Sequence, residues 1–393
     1  MISEAERLAS DSLAGQHPDG PPDHVLQDTP LVRARWMRAE ARAFAVELDD
    51  DAAFPVQSLA RLCQLNLLTA PLPTVSGGEG LATEETAALT LCGVLRAIGG
   101  ASLPLGRLYE GHVNAIVLLC RYGTPAQVEA VAAEIRCGML LGVWNTEKAE
   151  GLRLIGDERG GTLHGGKTFA SGAGYIQRPI VTARSPSGVR LMIMPRLPIG
   201  CRTDMAAWMA HGMRASATGN IDLSGLIITP EEIIGGDGDY HREPLFSAGA
   251  WRFAAVQSGA IAYIFDLLRQ HLRSVKRDKD PHQLMRVGQA ALLVEGARQW
   301  VEKAACFVAD KKVGSNEKVA FVNLARLAVE QAGLEVMQLA QRSIGLAGFM
   351  RTHPLEQACR DLATYLRQPS PDLALTRAAE YVLAAEGDTD TLW

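Results

Sequence analysis

Two changes in the spacing of apolar residues constrain the fold of this 393-residue chain more than any other feature. From about residue 31 to 136 the apolar positions recur at helical intervals, for example in residues 33–48. Between 138 and 235, short runs rich in β-branched residues alternate with Gly, Pro and Ser-Gly turns, which is typical of strands. Long amphipathic segments rich in Ala and Leu return near residue 246. The order of helices, then strands, then helices narrows the choice of fold.

These changes predict an α+β multi-domain protein with an N-terminal α-helical domain, a middle β-barrel or β-sandwich domain and a C-terminal four-helix bundle. We place the helical domain at residues 31–137, the β-domain at 138–236 and the bundle at 237–393. Residues 1–30 are interpreted as an N-terminal arm, because residues 15–30 are rich in Pro, Gly and Asp.

Composition excludes several classes of function. The net charge of −5 and the pI near 6.0 argue against nucleic acid as a partner, because no basic excess is available to displace counterions. Seven scattered cysteines without a close Cys/His cluster predict reduced thiols and no metal site. The acidic N-terminus does not resemble a signal peptide, and no stretch of 18 apolar residues predicts a membrane span. We therefore expect a cytoplasmic protein.

Two segments of the predicted β-domain combine glycines with hydroxyl and aromatic side chains. Residues 142–151 read G-V-W-N-T-E-K-A-E-G, and residues 165–174 read G-G-K-T-F-A-S-G-A-G. Taken singly, Ser and Thr beside glycines are typical of turns, and a lone Phe is most often a core residue. Together, two such strand ends could present an aromatic wall and hydrogen-bond donors to a flat ring cofactor.

In this order and spacing, the segments resemble those that line the flavin in the acyl-CoA dehydrogenase family. The family pattern T-E-P-x-x-G-S-D is matched by Thr146, Glu147 and Gly151, and K-x-W-I-T-N-G by Lys167, Phe169, Ser171 and Gly172. Residues 101–127, 212–223 and 341–361 resemble further segments of the family, the last being a glycine-rich turn followed by a P-x-E-x-x-x-R-D helix. The resemblance predicts a family member that binds FAD.

The resemblance also implies roles for individual residues. Thr146 and Ser171 would bond the flavin, Phe169 would replace the stacking tryptophan, and Trp144 would complete the wall. The implied phosphate and adenine contacts are Arg277, Gln289, Gly345 and Gly348. As the alternative, Arg277 lies in the sequence S-V-K-R-D-K-D and could be a solvated helix end.

The resemblance fails where substrate chemistry is expected. The family glutamate that removes the α-proton corresponds to Pro369, and a second family position for this base corresponds to Trp251. Neither side chain accepts a proton. A pocket serine and the following aspartate are replaced by Leu152 and Arg153, and we expect Leu152, Trp251 and Arg252 to line the substrate pocket. The chain is thus interpreted as a divergent member without the usual catalytic glutamate.

Three functions remain open. The first is oxidation of a CH–CH bond of an acyl thioester or similar small molecule, with Asp372 as an atypical base; a helix N-cap is the alternative role for Asp372. The second is a monooxygenase that uses reduced flavin and O₂, in which His353, His211 or Ser171 would supply or orient a proton. The third is a non-catalytic FAD-binding partner subunit in a hetero-oligomeric dehydrogenase.

The expected partners follow from these alternatives. They are a small-molecule substrate, such as an acyl-CoA, and an electron-transfer or reductase protein. The resemblance also implies a homodimer or homotetramer formed through the bundle, and a hetero-oligomer stays open.

Overall fold

The structure is a computed structural model, and it describes residues 20–157, 159–198 and 201–393, without the side chains of Lys148 and Ala149. Most of the predicted N-terminal arm therefore lies outside the described residues. Where the arm is described, it contains a short helix, Asp23–Leu26, and leads into a helix that begins at Pro30.

We number the helices and strands of the described residues in chain order. The helices are α1 Asp23–Leu26, α2 Pro30–Trp36, α3 Arg38–Glu47, α4 Val56–Gln64, α5 Ala88–Gly99, α6 Leu103–Tyr122, α7 Pro125–Arg136, α8 Leu245–Ala248, α9 Trp251–Ser274, α10 Pro281–Ala309, α11 Ser315–Ile344, α12 Pro354–Tyr365 and α13 Pro371–Ala384. The strands are β1 Leu141–Trp144, β2 Glu147–Asp157, β3 Gly160–Ala170, β4 Arg178–Arg184, β5 Arg190–Ile193, β6 Thr203–Asp204, β7 Gly219–Asp222, β8 Ile227–Ile228 and β9 Ile233–Ile234.

The described residues divide into two compact units. The first is formed from the described parts of residues 1–87, 107–209 and 214–242, and the second from residues 88–106, 210–213 and 243–393.

The first unit contains a mixed β-sheet in which the strands follow the order β6-β7-β3-β2-β4-β5-β9. Strand β1 pairs with β4 in parallel, and β2 pairs with β3 antiparallel. The pairing is irregular at two places: in β2 between Glu147 and Leu152, and in β3 between Lys167 and Ala170. Such bulges bend a strand and redirect its side chains. Both fall in the two segments that carry the predicted flavin residues.

A buried histidine fixes α6 to the sheet of the first unit. His112 is fully buried, and its Nδ1 accepts a hydrogen bond from the Leu141 backbone N–H at 3.0 Å. Its Nε2 therefore carries the proton and donates to the Leu68 carbonyl at 2.8 Å. Both ring nitrogens are used, so the imidazole serves the fold as a neutral connector.

The second unit is helical. The four predicted bundle helices correspond to α9, α10, α11 and α13, and the helix of the R-D motif, α12, is an additional element. Glycines let α5 and α9 approach at backbone distance, since a Cβ at Gly99 would lie 2.2 Å from the Val256 carbonyl oxygen and one at Gly259 would lie 2.0 Å from that of Arg96. Gly99, the last residue of α5, therefore serves the packing of the two helices.

The R-D motif holds a short connecting segment inside the second unit. Buried Arg360 donates to both carboxylate oxygens of Glu356, at 2.6 and 3.0 Å, and to the carbonyl of His211 at 3.1 Å. Asp361 accepts from the Met213 N–H at 2.6 Å, and Met213 adopts φ +59°. The side chains of Arg360 and Asp361 therefore hold residues 211–213 in place through hydrogen bonds.

The predicted fold class is confirmed: helices precede and follow a β-domain. Within the described residues, no helix combines the length and apolar character that a membrane span requires.

Candidate functional site

A buried lysine on β3 holds the turn between β1 and β2 in place. Lys167 has no exposed surface, and its Nζ donates to the Asn145 carbonyl at 3.2 Å, to Glu147 Oε1 at 3.3 Å and to Thr182 Oγ1 at 3.0 Å. All three ammonium protons are thus satisfied. Thr146, between two of these partners, is exposed.

Burial lowers the pKa of Lys167 to about 8, and the nearby Glu147 carboxylate opposes this shift. The lysine therefore stabilises the turn mainly as a hydrogen-bond donor in a desolvated position. Residues 165–174, which resemble a flavin-lining segment, therefore contain a lysine whose side chain is buried and serves the turn.

Phe169 is held in a conformation that is unfavourable for a bulky residue. It lies at the irregular end of β3 with φ +52°, and its side chain is 58% exposed. Its ring meets Trp208 edge to face, with the centroids 5.9 Å apart. A strained backbone that exposes an aromatic ring costs free energy without adding burial, and such strain concentrates at functional sites.

Ser171 follows directly after β3 and is fixed through its backbone and its side chain. The indole Nε1–H of Trp144 donates to the Ser171 carbonyl at 2.9 Å. The hydroxyl of Thr218 donates to Ser171 Oγ at 3.2 Å. Trp144 itself is only 2% exposed, so its indole supports Ser171 from the interior of the unit.

Leu152 and Arg153, which replace the pocket serine and aspartate of the family pattern, are oriented oppositely on β2. Leu152 is 1% exposed, whereas Arg153 is exposed. Gly151, just before them, has φ +68° at the bulge.

In the second unit the structure brings Arg277 to the end of α11. Gln283 is 3% exposed, and with its amide oriented to suit its neighbours it donates to Ser343 Oγ at 3.0 Å and accepts from Arg277 at 3.2 Å. Arg277 also pairs with Asp280 at 2.8 Å and remains half exposed. A link from Arg277 to the residues before Gly345 thus exists within one chain.

The glycine-rich turn after α11 offers open backbone. Gly345 has φ +74°, and no atom lies within 4 Å of the position that a Cβ would take. Gly348 instead serves packing, because a Cβ there would lie 2.9 Å from Leu355 Cδ2. The space at Gly345 is what a phosphate needs to approach a main chain.

The histidines near this turn have defined surroundings. His353 is the N-cap of α12, and its Nδ1 accepts from the Leu355 N–H at 3.1 Å. Its ring lies 6.0 Å from that of His271, whose pKa is lowered by burial and then by the charges of His353 and Arg277.

Two further predicted residues lie on the surface of the second unit. Gln289 is exposed on α10, and His211 is exposed.

Trp251 and Pro369, which the resemblance aligns with the family base, both make contacts within the second unit. Trp251, at the start of α9, is 4% exposed, and the guanidinium of buried Arg252 lies 5.7 Å from its ring centroid. Pro369 is exposed, and its carbonyl accepts from Arg326 at 2.8 Å. Asp372 is exposed in the first turn of α13, where a carboxylate favours the helix dipole.

The structure adds residues that the sequence did not single out. Thr218 and Ser216 join Ser171, Gln283 joins Arg277 and Ser343, and Trp208 joins Phe169. Residues 216 and 218 lie in the segment 212–223 that resembles the family, so their hydroxyls were a visible signal. Gln283 and Trp208 carried none, because Ser343 and Phe169 are distant from them in sequence.

These residues fit a flavin. The indole N–H of Trp208 is buried and lacks an acceptor among the described residues, and it lies beside the exposed ring of Phe169. An isoalloxazine offers a flat face for such a ring and acceptor atoms along its edge. Thr146, Phe169 and Ser171 of the first unit would hold this ring. In the second unit, taken by itself, Arg277 and the Gly345 turn offer groups that suit a phosphate.

Comparisons with known proteins agree with the fold. Residues 31–136 match the family model of the acyl-CoA dehydrogenase N-terminal domain, and residues 237–366 match that of the C-terminal domain. Glutaryl-CoA dehydrogenase of Desulfococcus multivorans is 26% identical over 82% of this chain and 87% of its own length. Dibenzothiophene monooxygenase of Rhodococcus erythropolis is 25% identical over 72% of this chain and 74% of its own.

Solved structures show the same fold at lower identity. FMN-bound TdsC from Paenibacillus sp. A11-2 has a TM-score of 0.79 at 17% identity, covering 92% of this chain and 99% of that one. Butyryl-CoA dehydrogenase from Megasphaera elsdenii has a TM-score of 0.78 at 17% identity, covering 93% and 100%. KijD3, in complex with FMN and a dTDP-sugar, has a TM-score of 0.77 at 21% identity, covering 95% and 97%.

The two family models together cover the helical regions on both sides of the β-domain, in the order that the sequence predicts. The motifs, the helix–sheet–helix architecture and these matches lead to one conclusion: the chain belongs to the acyl-CoA dehydrogenase family, whose members are flavin-dependent oxidoreductases.

Proposed function

We propose that the protein is a flavin-dependent monooxygenase built on the acyl-CoA dehydrogenase fold, and that it acts on a small organic molecule. One observation carries the proposal: Trp251 and Pro369 occupy the two positions where the family has its catalytic carboxylate. Abstraction of an α-proton requires a base within hydrogen-bond reach of that proton. Oxygenation by a reduced flavin does not require a carboxylate there.

The carboxylates of α12 support this proposal because they are engaged in hydrogen bonds within the second unit. Glu356 accepts hydrogen bonds from Nε and Nη2 of the Arg360 guanidinium, and this hydrogen bonding keeps the pKa of Glu356 below its usual range. Asp361 accepts from the Met213 N–H. A base of near-neutral pKa needs an apolar environment without such partners. Asp372 is exposed in the first turn of α13, whereas a base of this kind lies in an apolar pocket.

In the proposed reaction, O₂ gives one oxygen atom to the substrate and the other to water, and the reduced flavin supplies the two electrons. The chain's own residues would orient this chemistry. Phe169 would cover one ring face, and the Ser171 hydroxyl would donate to the ring edge. Thr146 would offer a further hydroxyl to the flavin ring.

We propose FAD as the flavin. The open backbone at Gly345 and the link from Arg277 to Ser343 are features that suit a pyrophosphate, which FMN lacks. Among the relatives, TdsC and KijD3 were solved with FMN. Titration of the apoprotein with FAD and with FMN, followed by flavin fluorescence, distinguishes the two: tighter binding of FMN would contradict this assignment.

A second candidate is oxidation of an acyl-CoA, as the names of glutaryl-CoA dehydrogenase and butyryl-CoA dehydrogenase suggest for those proteins. It is favoured by the match to the C-terminal family model across residues 237–366. It requires a base other than the residues at positions 251 and 369.

The experiment has two arms. In the first, the protein receives flavin, a flavin reductase with its nicotinamide donor, heavy-oxygen-labelled O₂ and a panel of flat heteroaromatic compounds, including indole and dibenzothiophene. Incorporation of one labelled atom into a product, absent without the protein, supports the monooxygenase. In the second, the oxidised holoprotein is mixed anaerobically with acyl-CoAs. Bleaching of the flavin absorbance there would overturn the proposal in favour of the dehydrogenase.

A further inference from the structure

Three hydroxyl groups of the first unit form a chain that ends at the predicted flavin residue Ser171. The Oγ of Ser216 and the Oγ1 of Thr218 are 2.7 Å apart, and Thr218 Oγ1 lies 3.2 Å from Ser171 Oγ. Ser216 and Thr218 are 1% and 4% exposed, whereas Ser171 is half-buried. The chain thus leads from the interior of the unit toward its surface.

The hydrogen bonds give this chain a direction. A hydroxyl has a single proton, and Thr218 donates its proton to Ser171. Thr218 can therefore only accept from Ser216. Ser171 keeps its own proton, for which the described residues provide no acceptor. Since consecutive hydrogen bonds polarise one another, a hydroxyl at the end of such a chain is a better donor than an isolated serine.

Backbone contacts keep the two segments in register. Gly172 N donates to the Ser216 carbonyl at 2.9 Å, and Ala173 N donates to the Ala217 carbonyl at 3.0 Å. Ala217 is fully buried at φ +42°, a conformation that persists only where the surroundings determine it. The distance from Thr218 to Ser171 is therefore built into the fold.

We propose that Thr218, supported by Ser216, is a positioning residue that aims the Ser171 hydroxyl proton outward as the hydrogen-bond donor to the flavin ring edge. The inference rests on the proposed function only insofar as it places a flavin at Ser171. It does not depend on whether the reaction is oxygenation or dehydrogenation.

The test uses the full chain loaded with FAD isotope-labelled at N5. The N5 resonance in NMR reports hydrogen bonding to that atom, and fluorescence titration gives the dissociation constant. Thr218→Val keeps the shape of the side chain and removes its hydroxyl. We expect it to move the N5 resonance in the same direction as Ser171→Ala does, and to weaken FAD binding about tenfold, the effect of roughly one hydrogen bond. Thr218→Ser restores the hydroxyl and should retain the wild-type resonance.

Ser185→Ala is the matched control, because it breaks another hydroxyl pair, Ser185–Ser187 at 2.7 Å, just beyond the end of β4. It should leave the N5 resonance unchanged. The proposal is overturned if Thr218→Val keeps the wild-type resonance, if Thr218→Ser behaves like Thr218→Val, or if Ser171→Ala itself has no effect on N5. Failure of both activity arms leaves these binding measurements intact, so the two proposals fail separately.

Discussion

His112 makes the stability of the first unit depend on pH. Its Nδ1 faces the Leu141 N–H, so protonation of this nitrogen would place two donors against each other. Burial is the main cause that lowers the pKa of His112, from 6.5 to about 4, while its bond to the Leu68 carbonyl opposes the shift. The folded state therefore binds a proton much less readily than the unfolded state does.

The sign and size of the effect follow from linkage. Well above pH 6.5 the histidine is neutral in both states, and its full contribution to stability is present. As the pH falls, the unfolded state takes up the proton first, so the free energy of unfolding decreases until the pH has passed below about 4. The shift corresponds to a loss of about 2 kcal/mol by pH 5 and about 3 kcal/mol by pH 4.

The assay compares the wild type with His112→Gln by urea unfolding between pH 7.5 and 4.5. The variant should be less stable at pH 7.5, because it loses the contacts of the imidazole. Since glutamine does not titrate, the difference in the free energy of unfolding between the two proteins should narrow by about 2 kcal/mol at pH 5. The His112 imidazole signals should stay those of the neutral ring at pH 5 in NMR. A gap that stays constant over this range, or a ring that protonates near pH 6.5, would contradict a buried, neutral His112.

Three further predictions concern the two units. Phe169→Gly should raise the free energy of unfolding by about 1 kcal/mol, because glycine tolerates φ +52°, while flavin binding weakens. Arg360→Lys should lower it by about 2 kcal/mol, since lysine cannot bond both oxygens of Glu356 and the His211 carbonyl together. Trp251→Ala should lower it by about 4 kcal/mol, because the indole is 4% exposed. Chemical denaturation measures all three changes.

Each of these predictions has a control. Phe169→Ala keeps the strained backbone and should weaken flavin binding without the gain in stability. Arg351→Lys changes an exposed arginine before α12 and should be near neutral. Trp251→Phe should lose much less stability than Trp251→Ala. Equal stability of the Gly and Ala variants, or losses below about 1 kcal/mol at Arg360 or Trp251, would contradict the structural interpretation.

Several features of the site could be predicted from sequence because their signal is local. The segments around Thr146 and Ser171 were recognisable by glycines and hydroxyls at fixed spacing, and the structure places them where β-strands end. The absence of a carboxylate at positions 251 and 369 was visible by counting. The roles assigned to the site residues stay predictions, as do the domain boundaries; these residues are Trp144, Thr146, Phe169, Ser171, Arg277, Gln289 and the glycine turn.

The sequence alone determined the order of helices, strands and helices, the family motifs and the loss of the usual base, because periodicity and spacing are properties of neighbouring residues. The contact of Thr218 with Ser171 and the bridge of Gln283 between Arg277 and Ser343 arise only when the chain folds. Strand register explains the first contact, because β3 and β7 pair Ala170 with Gly219 and this alignment brings hydroxyls 47 positions apart together.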